Sequence, residues 1–256
     1  MRFSANLGFL WADLPLPEAI RAARRAGFDA VECHWPYAVP PGEVTAALAE
    51  TGLEMLGLNT RRGNVAAGDN GLAAVPGRAA EARDAIDEAV AYGAAIGARN
   101  AHVMAGVAAG AAAHACFVAN LAYACKVAAA RGMSILIEPL NGHDAPGYFL
   151  THTDQAAGII AEVGADNLRL MFDCYHVQRT EGDVDGRIEA LLPVIGHVQF
   201  AGVPARGVPD EGDLAYGPLF ALLDRLGWGV PLGAEYRPDG PTADSLGWMA
   251  RFRALS

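Results

Sequence analysis

The sequence predicts an α/β protein, a closed (β/α)8 barrel of the TIM type built as a single domain over residues 1–256. Three observations carry that prediction. Strand-like and helix-like segments alternate from end to end, the order that generates a parallel sheet. The strand-like runs are short and continuously apolar, as expected where helices cover one face and a packed interior the other. The length of 256 residues suits one barrel, which typically needs about 250. A doubly wound sheet is the alternative, but it would want a glycine-rich phosphate turn after the first strand. Asn6-Leu-Gly-Phe-Leu-Trp11 supplies no G-x-G-x-x-G.

Arg2–Leu7 reads as the first strand and Pro17–Ala26 as its helix, stopped by Gly27. Ala30–His34 is the second strand. Pro41–Glu50 has proline at its start and Gly52 just past its end, where each residue's backbone is suited to a helix terminus. Glu54–Thr60 is the third strand. The stretch from Arg61 to Gly77 is too glycine-rich for regular structure, and a loop that long inside a compact domain is usually functional or disordered. Arg78–Ile96 is an amphipathic helix ended by Gly97, followed by the strand Asn100–Ala105 and the helix Ala112–Ala130. The rhythm continues with strands at Ser134–Glu138, Leu168–Asp173, His197–Phe200 and Leu232–Tyr236. Their helices are Thr153–Val163, Asp185–Leu192, Gly217–Leu226 and Thr242–Leu255.

At 52% apolar and 19% charged, the composition is that of a globular protein with ample material for a core. No apolar run is expected to reach the length of a membrane span, because charges, glycine or proline interrupt the helices. The chain opens directly on a strand, without a signal-peptide core. Cys33, Cys116, Cys125 and Cys174 are scattered and form no C-x-x-C pair, so reduced, buried thiols in the cytoplasm are expected. The net charge of −10 opposes binding to nucleic acid or to anionic membrane surfaces. The partners expected are small molecules.

Four polar residues stand at or near the ends of apolar runs in the second half: Glu138, Asp173, Gln199 and Glu235. Successive members lie about one strand-plus-helix unit apart. A carboxylate at the end of a doubly buried strand has little solvent and needs a partner. In a barrel these strand ends form the mouth of the active site. Four converging oxygen donors, three of them anionic, would hold one hard divalent cation, Mg2+ or Mn2+ rather than Zn2+.

Other residues gather around that mouth. His176 follows Asp173 by one helical turn and would overhang it. Arg206, after the seventh strand, could clamp a substrate carboxylate through its planar fork. Asp144 is a turn former or a contact to substrate hydroxyls. Phe9, Trp11, Trp35 and Tyr37 follow the first two strands and could shape a lid or pack beneath a loop. His102 is expected to lie early in its strand, away from the mouth, with a structural role. Lys126 is expected to be a solvated helix residue.

At these residues the chain resembles the hydroxypyruvate isomerase family, within the xylose-isomerase-like TIM barrels that also include ketose 3-epimerases. The similarity runs nearly end to end: Arg2-Phe-Ser-Ala-Asn-Leu, Gly27-Phe-Asp-Ala-Val-Glu, Ala67-Gly-Asp-Asn-Gly-Leu, Pro76-Gly-Arg, Ile137-Glu-Pro-Leu-Asn, Phe172-Asp-Cys-Tyr-His-Val-Gln-Arg, His197-Val-Gln and Glu235-Tyr-Arg-Pro. The resemblance implies that Glu138, Asp173, Gln199 and Glu235 bind the metal and that Glu138 and Glu235 form the proton-transfer pair. Ketose epimerases generally carry His at the position of Gln199. A sister group, the 2-oxo-tetronate isomerases, shares most of the pattern. Ile137-Glu-Pro-Leu-Asn looks like hydroxypyruvate isomerase, whereas His102-Val-Met-Ala-Gly-Val and Gln199-Phe-Ala-Gly-Val-Pro look like the sister group.

The expected activity is therefore a metal-assisted aldose–ketose type isomerisation of a short hydroxy-keto acid, such as hydroxypyruvate to tartronate semialdehyde through a cis-enediolate. In that reaction His176 would steady the developing oxyanion and Arg206 the carboxylate. The alternatives are a 2-oxo-tetronate isomerase, a ketose 3-epimerase and a non-catalytic sugar-binding barrel. The apurinic endonuclease branch fits Asp173 and His176. It would also need a His-x-His or Asp-x-His pair after the seventh strand, and none is present.

Overall fold

A computed structural model describes residues 1–254. Four β/α repeats, the third with its strand in two parts, build its first half: β1 (Phe3–Asn6), α1 (Leu16–Arg25), β2 (Ala30–Glu32), α2 (Pro41–Thr51), β3 (Glu54–Met55), β4 (Gly57–Asn59), α3 (Ala79–Ile96), β5 (Asn100–His102) and α4 (Gly110–Ala129). The second half runs β6 (Ser134–Ile137), α5 (Thr153–Val163), β7 (Leu168–Asp173), α6 (Cys174–Thr180), α7 (Val184–Leu191), β8 (Ile195–Phe200), α8 (Tyr216–Arg225), β9 (Leu232–Ala234) and α9 (Gly247–Arg253).

Among the described residues the strands form one sheet in the order β3-β2-β1-β9-β8-β7-β6-β5-β4. Every pairing between strands is parallel. The expected third strand is one run split at Leu56: its first half pairs with β2 and its second half with β5. Leu56 N–H still donates to Val31 carbonyl at 2.7 Å, and Cys33 N–H to Gly57 carbonyl at 3.0 Å. The two ends of the sheet thus meet in one short segment, and the ring is nearly closed with the eight-fold layout the sequence predicts.

Three differences have local causes. Asp173 caps a short helix that was not expected, α6, by accepting from Tyr175 N–H at 2.9 Å. The last expected helix is divided into a 3-10 turn, Thr242–Ser245, and α9; its final residue, Leu255, lies outside the described residues. The helix α4 is, against expectation, long and apolar enough by composition to cross a membrane. Its inward face, including Phe117, Leu121 and Ala124, is fully buried against the barrel, so the apolar stripe is core material. The four cysteines are unpaired, three of them buried and Cys116 half-buried.

The ends of the chain are joined through aromatic packing. Trp248 of α9 lies edge-on to Phe3 of β1 at 5.0 Å and to Phe200 of β8 at 5.4 Å. Its indole donates to the Tyr236 hydroxyl at 3.2 Å, a partner that a buried polar tip requires. The loop after β4 is tied to the end of β5. Ala74 N–H donates to Ala105 carbonyl at 2.7 Å, and Gly71 lies so close that a Cβ there would sit 2.6 Å from the Met104 carbonyl.

Candidate active site

The four predicted strand-end residues stand at the same end of four consecutive strands. Asp173 closes β7, Gln199 is next to last in β8, and Glu138 and Glu235 are the first residues past β6 and β9. All four are buried. Beside them is a pocket of about 150 Å³ whose walls include His34, His102, Glu138, His176, Arg206 and Glu235. Asp144 also reaches this wall, with its carboxylate accepting from the Tyr175 hydroxyl at 2.8 Å. Lys126 lies on α4, away from the pocket.

Arg206 sits among the carboxylates rather than open to a ligand. One terminal nitrogen bonds Glu235 Oε2 at 2.6 Å and Asp173 Oδ2 at 3.3 Å, and the other lies 3.9 Å from Asp144. Its φ of +56° is unusual for a residue with a side chain, and such conformations persist only where the surroundings enforce them. Here Arg237 N–H donates to the Arg206 carbonyl at 2.8 Å, and the guanidinium lies over the rings of Phe9 and Tyr175.

His102 corrects the sequence expectation. Strand β5 is only three residues long and ends at His102, so this histidine is at the mouth. Its Nδ1 lies 3.6 Å from Glu138 Oε2, and it lines the pocket. The aromatic residues divide: Phe9 and Trp35 line the pocket, whereas Trp11 packs on Phe28 and Tyr37 on Tyr92.

A buried polar layer lies alongside the four strand-end residues. Glu32, the last residue of β2, accepts from Asn6 Nδ2 at 3.0 Å, Gln199 Nε2 at 2.8 Å and His197 Nε2 at 2.5 Å. Asn6 also donates to Glu235 Oε1 at 2.9 Å, and His34 bonds the same oxygen at 3.0 Å. A carboxylate can only accept, so Glu32 fixes which end of the Gln199 amide faces it. The Gln199 Oε1 is thereby turned away and, like Glu138 Oε1, is buried without a hydrogen-bond partner among the described residues. Buried polar atoms are rarely left so, and two orphaned oxygens near an anionic cluster are donors that suit a cation.

The electrostatics agree. Burial, then Glu235 and Asp173, push the Glu138 carboxyl well above its ordinary value. Burial also raises Asp173 to about 8, against the pull of Arg206 and with a further push from Glu235. For Glu235 burial acts upward too, but Arg206 and His34 outweigh it and hold the group below the usual range. Protein cations therefore compensate one of the three carboxylates and leave the other two short of positive charge.

Glu138, Asp173 and His176 bring potential ligand atoms within 4.8 Å of one another. The two carboxylates fit a cation, but the histidine is set up otherwise. The backbone N–H of Asn141 donates to His176 Nδ1 at 3.0 Å, which places the proton of a neutral ring on Nε2. Burial, then Arg206, lower His176 to about 3, so the ring is neutral. Its Nε2–H faces Asp173 at 3.6 Å as a donor, without the free lone pair that a metal ligand needs.

Asn6, Glu32, His34, His102 and His197 are the site residues that sequence reasoning missed. A signal existed for four of them. Asn6, Glu32 and His102 close the strands β1, β2 and β5, in the same position that singled out the four residues in the second half. His34 carried the same signal in another form, as the last residue of the expected second strand Ala30–His34, and His197 carried none.

A parallel barrel with buried carboxylates ringing one end is the form of a sugar or sugar-acid isomerase. Residues 20–252 match the family described as Xylose isomerase-like TIM barrel, and the chain belongs to that family. It is 44% identical to the 2-oxo-tetronate isomerase of Cupriavidus necator, covering 97% of each chain. It is 41% identical to the putative hydroxypyruvate isomerase of Homo sapiens over 98% of this chain and 95% of the human one. A crystal structure described as an AP endonuclease of family 2 from Brucella melitensis superposes with a TM-score of 0.94 at 38% identity, over 98% of each chain.

Proposed function

We propose that this protein is an isomerase of short hydroxy-keto acids, interconverting hydroxypyruvate and tartronate semialdehyde or carrying out the equivalent shift on a 2-oxo-tetronate. The observation that carries this reading is the pair of buried glutamates that face one pocket at the mouth from unlike surroundings, Glu235 bonded to Arg206, His34 and Asn6 and Glu138 with an oxygen that no donor meets among the described residues. Such a pair supplies one group able to take a proton and one able to give it, which is what a carbonyl shift between neighbouring carbons requires.

For hydroxypyruvate, Glu235, held ionised by Arg206 and His34, takes a proton from C3. The electron pair moves into an enediolate, and the C2 carbonyl becomes the second oxygen of that unit. Glu138 in its acid form returns a proton to C2, and the hydroxyl proton passes from O3 to O2, leaving an aldehyde at C3. His176 Nε2–H and Arg206 stabilise the charge that builds on the oxygens, and Asp144 accepts from a substrate hydroxyl. The roles of Glu138 and Glu235 reverse for the opposite reaction.

Glu138, Asp173, Gln199 and Glu235 would hold a divalent cation. The all-oxygen donor set and the two orphaned oxygens favour Mg2+ or Mn2+. When bound, such an ion acts as a Lewis acid that polarises a carbonyl and neutralises developing negative charge. The unpaired thiols fit a reducing compartment, the cytoplasm. The net charge of −10 disfavours a polyanionic DNA substrate.

The test is a turnover screen with hydroxypyruvate, 2-oxo-tetronates and free ketoses, each with Mg2+ or Mn2+ and with chelator. The reading expects metal-dependent turnover of an acid and little of a neutral ketose. A preference for free ketoses would make the protein an epimerase or ketose isomerase instead.

A further inference from the structure

Arg206, the cation that the sequence offers for a substrate carboxylate, is engaged by protein carboxylates. Its terminal nitrogens face Asp173, Glu235 and Asp144, and its Nε lies 3.4 Å from the Glu235 carbonyl. A second arginine reaches the same pocket. Arg237, two residues past Glu235, lines the pocket and is exposed. Among the described residues its guanidinium has no ion pair and no side-chain hydrogen bond; it stacks on Phe9, centred 5.3 Å away. Phe9 thus lies under both arginines, with Arg206 over it at 5.0 Å.

Arg237 and Phe9 also belong to the wall of an adjoining groove of about 630 Å³, together with Gly8, Trp11, Pro238 and Thr242. The groove's other charged residue, Asp13, does not reach the pocket. The single cation shared by the pocket and groove walls among the described residues therefore presents a free planar fork where the two walls meet.

We propose that Arg237 is the carboxylate-reading residue of this enzyme, and that the groove beside it takes the portion of the substrate beyond the reacting carbons. The inference rests on the isomerase reading above and adds to it the group that separates acids from neutral sugars. A guanidinium whose five N–H donors are unspent can meet a carboxylate with two parallel hydrogen bonds. Stacking on Phe9 holds the fork in one plane and reduces what is lost on ordering it. Arg206 is left to the reacting end, where its charge keeps Glu235 ionised.

The experiment compares binding of threonate, a non-isomerising four-carbon hydroxy acid, with that of threitol, its neutral counterpart of equal length. Titration calorimetry on the metal-loaded protein reads both without requiring turnover. Arg237→Gln should weaken threonate roughly 10-fold or more, the usual loss for a hydrogen-bonded charge, and change threitol less than about twofold. Arg237→Lys, which keeps the charge without the fork, should fall between wild type and Arg237→Gln. On a hydroxy-keto acid substrate the loss should appear mainly in KM. Threonate binding within about twofold of wild type in Arg237→Gln overturns the proposal, as does an equal loss for threonate and threitol. Failure of the isomerase reading is a separate event, seen as wild-type protein that turns over none of the acids while threonate still binds through Arg237.

Discussion

Glu138 and Glu235 are chemically identical side chains made unlike by their neighbours. Glu235 receives Arg206, His34 and Asn6, while Glu138 Oε1 faces the interior without a donor. Replacing either by glutamine should cut turnover roughly 10²-fold or more, the usual contribution of a positioned acid or base. Metal content has to be measured alongside, since both are also proposed ligands. A Glu138→Gln protein that keeps its metal and near-normal turnover would remove Glu138 from the proton-transfer pair. Glu32 acts one step further back. It is not itself on the pocket wall but fixes the amide of Gln199 and bridges through Asn6 to Glu235. Glu32→Gln lets the Gln199 amide turn, so divalent-cation affinity should drop roughly 10- to 100-fold, as for other groups that orient ligands. Cation titration of the variant checks it, and unchanged affinity would mean that Gln199 does not ligate.

The loop between β4 and α3 shows how an irregular element positions a site. It is glycine-rich and carries only a 3-10 turn, Val65–Ala67, yet its later part is buried and bonded to the chain after β5. Gly71 permits this, with φ of +108° and no room for a Cβ against the Met104 carbonyl. The next residue upstream, Asn70, lines the pocket. Gly71→Ala must strain the backbone or lift the loop, at a cost on the order of 1–3 kcal/mol for an enforced unfavourable conformation. A lower melting temperature together with a raised KM is the expected result. A lower melting temperature with unchanged KM would show that the loop supports the fold without shaping the pocket.

Over the whole molecule, the buried carboxylates couple folding to pH and to metal. Asp173 binds its proton more tightly in the folded protein, at about 8, than at its ordinary value of 3.8, and Glu138 is displaced the same way. Between those values the folded state holds more protons than the unfolded one, so stability of the metal-free protein should fall as pH rises through that window. Glu235, displaced downward, contributes stability above its ordinary value of 4.5, and the buried His102 and His176, lowered to about 3, oppose the trend up to their ordinary value of 6.5, so the fall is clearest between pH 6.5 and about 8. A divalent cation requires the ionised ligands, and its stabilisation should therefore be larger at pH 8 than at pH 6. Thermal melts with and without Mg2+ or Mn2+ at the two pH values measure this. A shift of equal size at both would mean that the cation binds elsewhere.

The barrel and its strand-end carboxylates were legible in the sequence because both depend on local periodicity. Apolar runs broken by helices at regular intervals define the order of elements, and a parallel strand brings the residue at its end to the mouth whatever its neighbours are. Glu138, Asp173, Gln199 and Glu235 follow from that rule, and so do Asn6, Glu32 and His102 once the short strands are delimited. Partnership was not legible, because it joins residues far apart in the chain. That Arg206 bonds Glu235 and Asp173 rather than lying open, that Glu32 aims the Gln199 oxygen, and that Asn141 places the His176 proton on Nε2 are consequences of closing the sheet into a ring. Closure also decides the chemistry. Burial and the distribution of one guanidinium among three carboxylates, neither visible along the chain, make one glutamate hold its proton and the other give it up.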